Sequence, residues 1–105
     1  MIPLKLRNEL AEDHYYKVCV RLGADCQGRI TWEHAFIYKN QIQEKWAIIP
    51  LCWYHHLGAG LDKELNHYLA LKRADLNELC KRMPKKDWKQ MFNYLDKKYE
   101  KKNNN

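Results

Sequence analysis

The sequence predicts a single α+β domain, and three observations lead there. Two short apolar runs rich in β-branched and aromatic residues carry Gly or Pro at their edges, as strands do. Three stretches of helical periodicity follow, each opened by an Asp able to cap it. Cys and His residues cluster where the two patterns meet. At 105 residues the chain can bury one modest core, so residues 1–105 form one unit, with a core over about 19–60 and a basic helical extension over about 62–100. Hydrophobic residues at 46% and charged residues at 30% describe a folded chain and exclude a disordered one.

Residues 1–18 are mixed, with Tyr15, Tyr16 and Val18 leading into Cys19, and predict a short helix or loop followed by a strand. Gly28 to Tyr38 reads GRITWEHAFIY and predicts a strand; Ala47 to Leu51 reads AIIPL and predicts a second. Pro50 lacks an N–H, which restricts that second strand to an edge or its own end. After Cys52 the run WYHHLG reads as the opening turns of a helix that Gly58 and Gly60 interrupt. Asp62 caps a helix with the stripe Leu65, Tyr68, Leu69 and Leu71. Asp75 and Glu78 resemble a capping box ahead of Leu76, Leu79, Cys80 and Met83, and Pro84 ends that segment. Asp87, with Gln90 three residues on, starts a third helix striped by Trp88, Met91, Phe92, Leu95 and Tyr99. There is no internal repeat, and the Lys- and Asn-rich end from Lys101 to Asn105 is expected to fray.

The formal charge of +6 is unevenly distributed. Residues 1–80 hold ten Lys/Arg and ten Asp/Glu, whereas residues 81–105 hold nine against three. A basic end on a neutral body suits a phosphate-tracking surface, because each cation placed on a phosphate releases counterions. Lys85, Lys86, Lys89, Lys97 and Lys98 are the candidate contacts; the alternative is a solvated helix face. No run approaches the roughly 18 apolar residues a membrane span needs, and Met1 to Leu10 carries charges where a signal peptide needs an apolar stretch, so a cytoplasmic protein is expected. In a reducing compartment the four cysteines read as metal ligands or buried thiols, in preference to the disulfide staples of a secreted effector.

Six residues separate Cys19 from Cys26, and two separate Cys52 from His55 at a helix start, where positions three apart share a face. Four such donors suit tetrahedral zinc, although the first gap exceeds the two to four residues of a usual knuckle. The alternative is a set of core thiols with a surface His55. Glu33 and His34 lie on the first strand, where neighbours face opposite sides, so both can serve one site only where that strand ends or bulges. Alone, the pair is a weak signal and reads first as an exposed Glu beside a satisfied core His.

The order W-E-H, then I-I-P-L-C, then two residues and H-H resembles the HNH endonucleases, and small phage-encoded members are the closest in size. The resemblance spans about 40 residues. It implies a ββα-metal core extended by C-terminal helices, DNA as substrate, and the cytoplasm of a bacterium or a phage-infected host. His34 then matches the general base, Glu33 the adjacent metal ligand and His56 the closing ligand. Cys52 and His55 match the family's knuckle, with His55 in place of its second cysteine. Neighbouring helix positions point about 100° apart, which lets His55 face zinc while His56 faces the hairpin. Where the family has its middle Asn this chain has Ala47; Asn40, Gln41 or Gln43 are the candidates to brace the hairpin instead. Imidazole suits the task of activating water near neutral pH, and a carboxylate–imidazole pair accepts Mg²⁺, Mn²⁺, Zn²⁺ or Ni²⁺. A zinc-stabilised nucleic-acid-binding module without cleavage is the alternative. His14 and His67 read as surface or structural, Cys80 as a buried thiol, and Trp32, Trp46, Trp53 and Trp88 as core filling.

Overall fold

The computed structural model describes residues 2–36, 41–82 and 85–100, with the backbone alone at 85–87 and 100. Ile2, Leu6 and Leu10 recur every four residues, so α1 (Leu4–Glu12) buries one stripe. The strand expected before Cys19 does not form. Asp13 instead accepts the Tyr15 N–H at 3.0 Å and turns the chain into a 3₁₀ turn, His14–Lys17, a local bond that competes with extended pairing. Lys45 pairs with the same carboxylate at 2.7 Å, and the Tyr16 hydroxyl donates to the Lys45 carbonyl.

Strands β1 (Ile30–His34) and β2 (Ile48–Cys52) form a two-stranded antiparallel sheet in which Ile30 faces Cys52 and His34 faces Ile48. β1 is shorter than predicted because its partner begins only at Ile48, after a 3₁₀ turn at Lys45–Ala47; Ile37, Tyr38 and Asn40 lie outside the described residues. The Trp53 N–H donates to Arg29 at 3.0 Å and the Ala35 N–H to Ala47 at 2.9 Å, which extends the hydrogen-bonded pairs of the ladder. By that alternation Trp32 and Pro50 meet in a non-hydrogen-bonded pair, so the missing N–H of Pro50 costs the sheet nothing. Its carbonyl accepts from Val20 at 2.9 Å on the outer side, consistent with an edge.

The period of two divides the hairpin between two cores. Trp32 and Ile48 pack with Ile2, Leu6, Leu10 and Tyr16 on one face. Ile49 and Leu51, which share a face with Thr31 and Glu33, join the larger core of Tyr68, Leu71, Leu79, Trp88 and Leu95. After the short α2 (Trp53–His56), that core is completed by α3 (Lys63–Leu71), α4 (Leu76–Arg82) and α5 (Lys85–Leu95).

Asp62 caps α3 through the Leu65 N–H at 3.1 Å, as expected. Asp75 caps through the Glu78 N–H at 3.1 Å, but the box is half formed, since the Glu78 carboxylate bonds Lys81 at 2.9 Å. Met83 and Pro84 lie outside the described residues. Cys80 is exposed and not buried, because α4 turns only Leu79 fully inward. α5 begins at Lys85, two residues before the predicted start, as good helix formers allow. Met91 and Trp53 are exposed, while Trp88 is buried and Trp32 and Trp46 are half-buried. Beyond α5 the helix widens into a π turn, Asp96–Glu100, which stacks Tyr99 on Tyr68 at 5.7 Å and lets the Tyr68 hydroxyl donate to Asp96 at 2.9 Å. These bonds fix α3 against the C-terminal helix. No described helix is long and apolar enough to cross a membrane.

Candidate metal centre and the adjoining cavity

β2 delivers Cys52 to the start of α2, whose first N–H groups are taken by the preceding loop: Trp53 donates to Arg29 and Tyr54 to Gln27, each at 3.0 Å. This pins the loop that carries Cys26. Gly28 is required there, with φ 85° and a Cβ that would stand 2.7 Å from that of Trp53. The wide gap between Cys19 and Cys26 closes through two tight turns, from the Leu22 N–H to Cys19 and from the Cys26 N–H to Gly23, with Leu22 at φ 46° between them.

Cys19, Cys26, Cys52 and His55 thereby converge, their ligand atoms all within 4.8 Å of one another, and form a group that can hold a metal ion such as zinc. The His55 Nδ1 lies 3.5 Å from the Cys19 Sγ, 3.6 Å from Cys26 and 3.2 Å from Cys52. Tetrahedral zinc, with bonds of about 2.3 Å to sulfur and 2.0 Å to nitrogen, separates S from N by about 3.5 Å. The other nitrogen, Nε2, lies 3.1 Å from the Asp25 carboxylate, which only accepts; the ring hydrogen is therefore on Nε2 and the lone pair on Nδ1, among the sulfurs. Asn66, buried on α3, donates to the His55 carbonyl at 3.4 Å and accepts from Arg21 at 3.3 Å.

The thiols are electrostatically unequal. Desolvation pushes Cys26 up to about 11, and the neighbouring Cys19 and Cys52 sulfurs add to the rise. Burial acts on Cys52 in the same direction but is outweighed by the His55 and Gln27 N–H groups aimed at its sulfur, which bring it down to about 7. One thiolate forms readily and the next does not, so a set of three calls for a cation. All four cysteines are free thiols, and Cys80 stands apart from the cluster.

His56, one residue on, turns the other way and meets β1: its Nδ1 lies 2.6 Å from the Thr31 hydroxyl. Two residues along the same strand face, Glu33 has its Oε2 buried with no hydrogen-bond partner. Desolvation raises its carboxyl above the ordinary range, opposed by the nearby His56 and Lys63 side chains. His34, at the end of β1, is held by Gln43 at 2.9 Å from its Nε2. With the Gln43 oxygen accepting, Nε2 carries the hydrogen and Nδ1 is the basic nitrogen. Of the three bracing candidates, Gln43 contacts His34, Gln41 is exposed and Asn40 lies outside the described residues.

Glu33, His34, Ala35, Ile49, Lys63, Asn66 and His67 line one cavity of 290 Å³. His67 stands edge-on to Phe36 at 5.2 Å, and its burial lowers its pKa. Among the described residues, Glu33, His34 and His56 do not gather into a ligand group like that of the cysteines. Asp25, Thr31, Lys63 and Asn66 did not stand out in the sequence, and His67, read there as surface or structural, lines the cavity. Asp25 adjoins Cys26 and Thr31 precedes Glu33 by one strand period, weak signals that become specific only once the histidines are placed. Of the basic residues, Lys89, Lys97 and Lys98 are exposed, Lys98 pairs with Glu64 at 2.8 Å, and the side chains of Lys85 and Lys86 lie outside the description. No family model, curated protein or solved structure matches the chain.

Proposed function

We propose that this protein is an HNH-type, metal-dependent endonuclease that hydrolyses phosphodiester bonds in DNA, with Glu33 and His56 as ligands of a divalent ion and His34 as general base. Glu33 carries this reading. It is a carboxylate in a cavity beside His34, with one oxygen buried and unpartnered. Such burial is costly until a cation meets the oxygen. One carboxylate and one imidazole suit Mg²⁺, Mn²⁺, Zn²⁺ or Ni²⁺ alike.

A divalent ion, when bound, supplies charge neutralisation on the phosphate and the leaving oxygen. The His34 Nδ1, left basic by Gln43, accepts a proton from water as the water oxygen bonds to phosphorus and the ester P–O bond breaks. Lys63 on the cavity wall adds positive charge toward the phosphate. Lys89 and Lys97 track the DNA backbone, joined by Lys98 when phosphate replaces Glu64. The cysteine cluster holds zinc and fixes the turn that presents His56.

A supercoiled-plasmid assay tests this. Nicking is expected with added Mg²⁺, Mn²⁺ or Ni²⁺, and His34→Ala lowers its rate by roughly 10² to 10⁴. The buried Ala47, where HNH sequences have Asn, favours the second reading, a zinc-stabilised nucleic-acid-binding module. Retardation of DNA on a gel without nicking in any of these metals selects that module and overturns the enzyme.

A further inference from the structure

Thr31 lies on the strand face that carries Glu33. Its hydroxyl oxygen makes two contacts, one to the Leu51 carbonyl oxygen at 2.8 Å and one to the His56 Nδ1 at 2.6 Å. A hydroxyl has a single hydrogen, and a carbonyl oxygen can only accept, so that hydrogen goes to Leu51. The second contact is then a donation from the His56 Nδ1–H to Thr31. A neutral imidazole has one ring hydrogen, which leaves the lone pair of His56 on Nε2, at the opposite edge of the ring from Thr31.

We infer that Thr31 is a positioning residue: it holds His56 in the Nδ1–H form and so presents an unprotonated Nε2 for a divalent cation shared with Glu33. This role rests on the reading of Glu33 and His56 as the metal pair. Its neighbour is held in the reverse sense, since Asp25 takes the Nε2–H of His55 and leaves Nδ1 to the sulfurs. Two consecutive histidines thus bind two different ions through different nitrogens, each tautomer set by an oxygen that only accepts the ring hydrogen. The arrangement separates the sites along a four-residue helix without any change of residue type.

The wild-type chain tests the tautomer without mutation. In long-range ¹H–¹⁵N correlation spectra of the zinc-loaded protein, at a pH where the imidazoles are neutral, His56 is expected to show a pyrrole-type Nδ1 and a pyridine-type Nε2; the reverse overturns the role of Thr31. Mn²⁺ titration of the zinc-loaded protein, followed by electron paramagnetic resonance, reads the consequence. Thr31→Val, which keeps the shape and removes the hydroxyl, weakens Mn²⁺ binding by roughly 10- to 100-fold, and Thr31→Ser retains it. Affinity unchanged in Thr31→Val but reduced in Glu33→Ala and His56→Ala overturns the Thr31 role alone. Affinity unchanged in all three overturns the metal pair, and the role of Thr31 with it.

Discussion

His55 and His56 are consecutive, yet they meet neighbours of opposite character: His55 the three cysteines, His56 the Thr31 hydroxyl on the strand that carries Glu33. Around His55, three sulfurs stand at 3.2 to 3.6 Å from one nitrogen, and a carboxylate orients the other. Around Glu33 the structure leaves a 290 Å³ space, a buried oxygen without a partner and a carboxyl raised by its burial. Closed coordination is what a structural ion needs, because its binding energy is folding energy; an open position is what an exchangeable ion and a substrate need. The first region brings four ligand atoms of its own around one point, enough to close a tetrahedral ion. The second keeps a cost that only something from outside can relieve, and stability is commonly given up in this way at functional sites.

The sharpest way to break this contrast is to remove one ligand from the closed region. Cys52→Ala deletes a fully buried sulfur that also accepts the N–H of His55 in α2 and that of Gln27 in the Cys26 loop. Expected is a loss on the order of 5 kcal/mol, enough to abolish cooperative unfolding in a domain of ordinary stability. Cys80→Ala, exposed and outside the cluster, is expected to stay within about 0.5 kcal/mol of wild type. Urea unfolding followed by tryptophan fluorescence compares the two. Equal effects would show that the cluster does not hold the fold.

A smaller effect of opposite sign is expected in the open region. Glu33→Gln keeps the shape and removes the buried charge, so the zinc-loaded variant gains about 1 kcal/mol at neutral pH while losing metal-dependent nicking. The pH dependence follows from the raised carboxyl. The stability contributed by protonated Glu33 is fully present below its ordinary value of 4.5 and is lost as pH rises through the higher folded value. The advantage of the Gln variant therefore opens across that window and is absent below it. Parallel stability curves across the window would remove Glu33 as the seat of the cost.

How much of each region was legible in the sequence follows the same division. The Cys52–His55 pair, the turn into α2 and the Asp62 cap are local patterns, set by helical spacing and by one side chain reaching the next turn. The bonds that finish the sites are not local. Asn66 lies off the predicted stripe of Leu65, Tyr68, Leu69 and Leu71, yet it is buried, its amide met by Arg21, 45 residues away, and by the His55 carbonyl. Thr31 reads as an ordinary β-branched strand residue until His56, 25 residues on, is brought beside it. The N-terminal strand was misread for the converse reason: the local capping bond of Asp13 overrides the β propensity of Tyr15, Tyr16 and Val18.

The mildest test concerns the loop that lets Cys26 reach the cluster. Leu22 takes a left-handed backbone conformation, φ 46°, in the turn between the two cysteines, and it is 76% exposed, so its side chain gains little from burial. An L-residue in that region costs about 1 to 2 kcal/mol, and Asn tolerates it better than Leu because its short polar side chain bonds locally. Leu22→Asn is expected to raise the urea midpoint of the zinc-loaded protein by an amount equivalent to no more than about 1 kcal/mol. Mn²⁺ affinity and nicking rate should stay unchanged, since the strain is held by the turn onto Cys19 and not by any residue of the Glu33 cavity. A change in Mn²⁺ affinity would mean that the two regions are coupled through the loop and that the closed site sets the geometry of the open one.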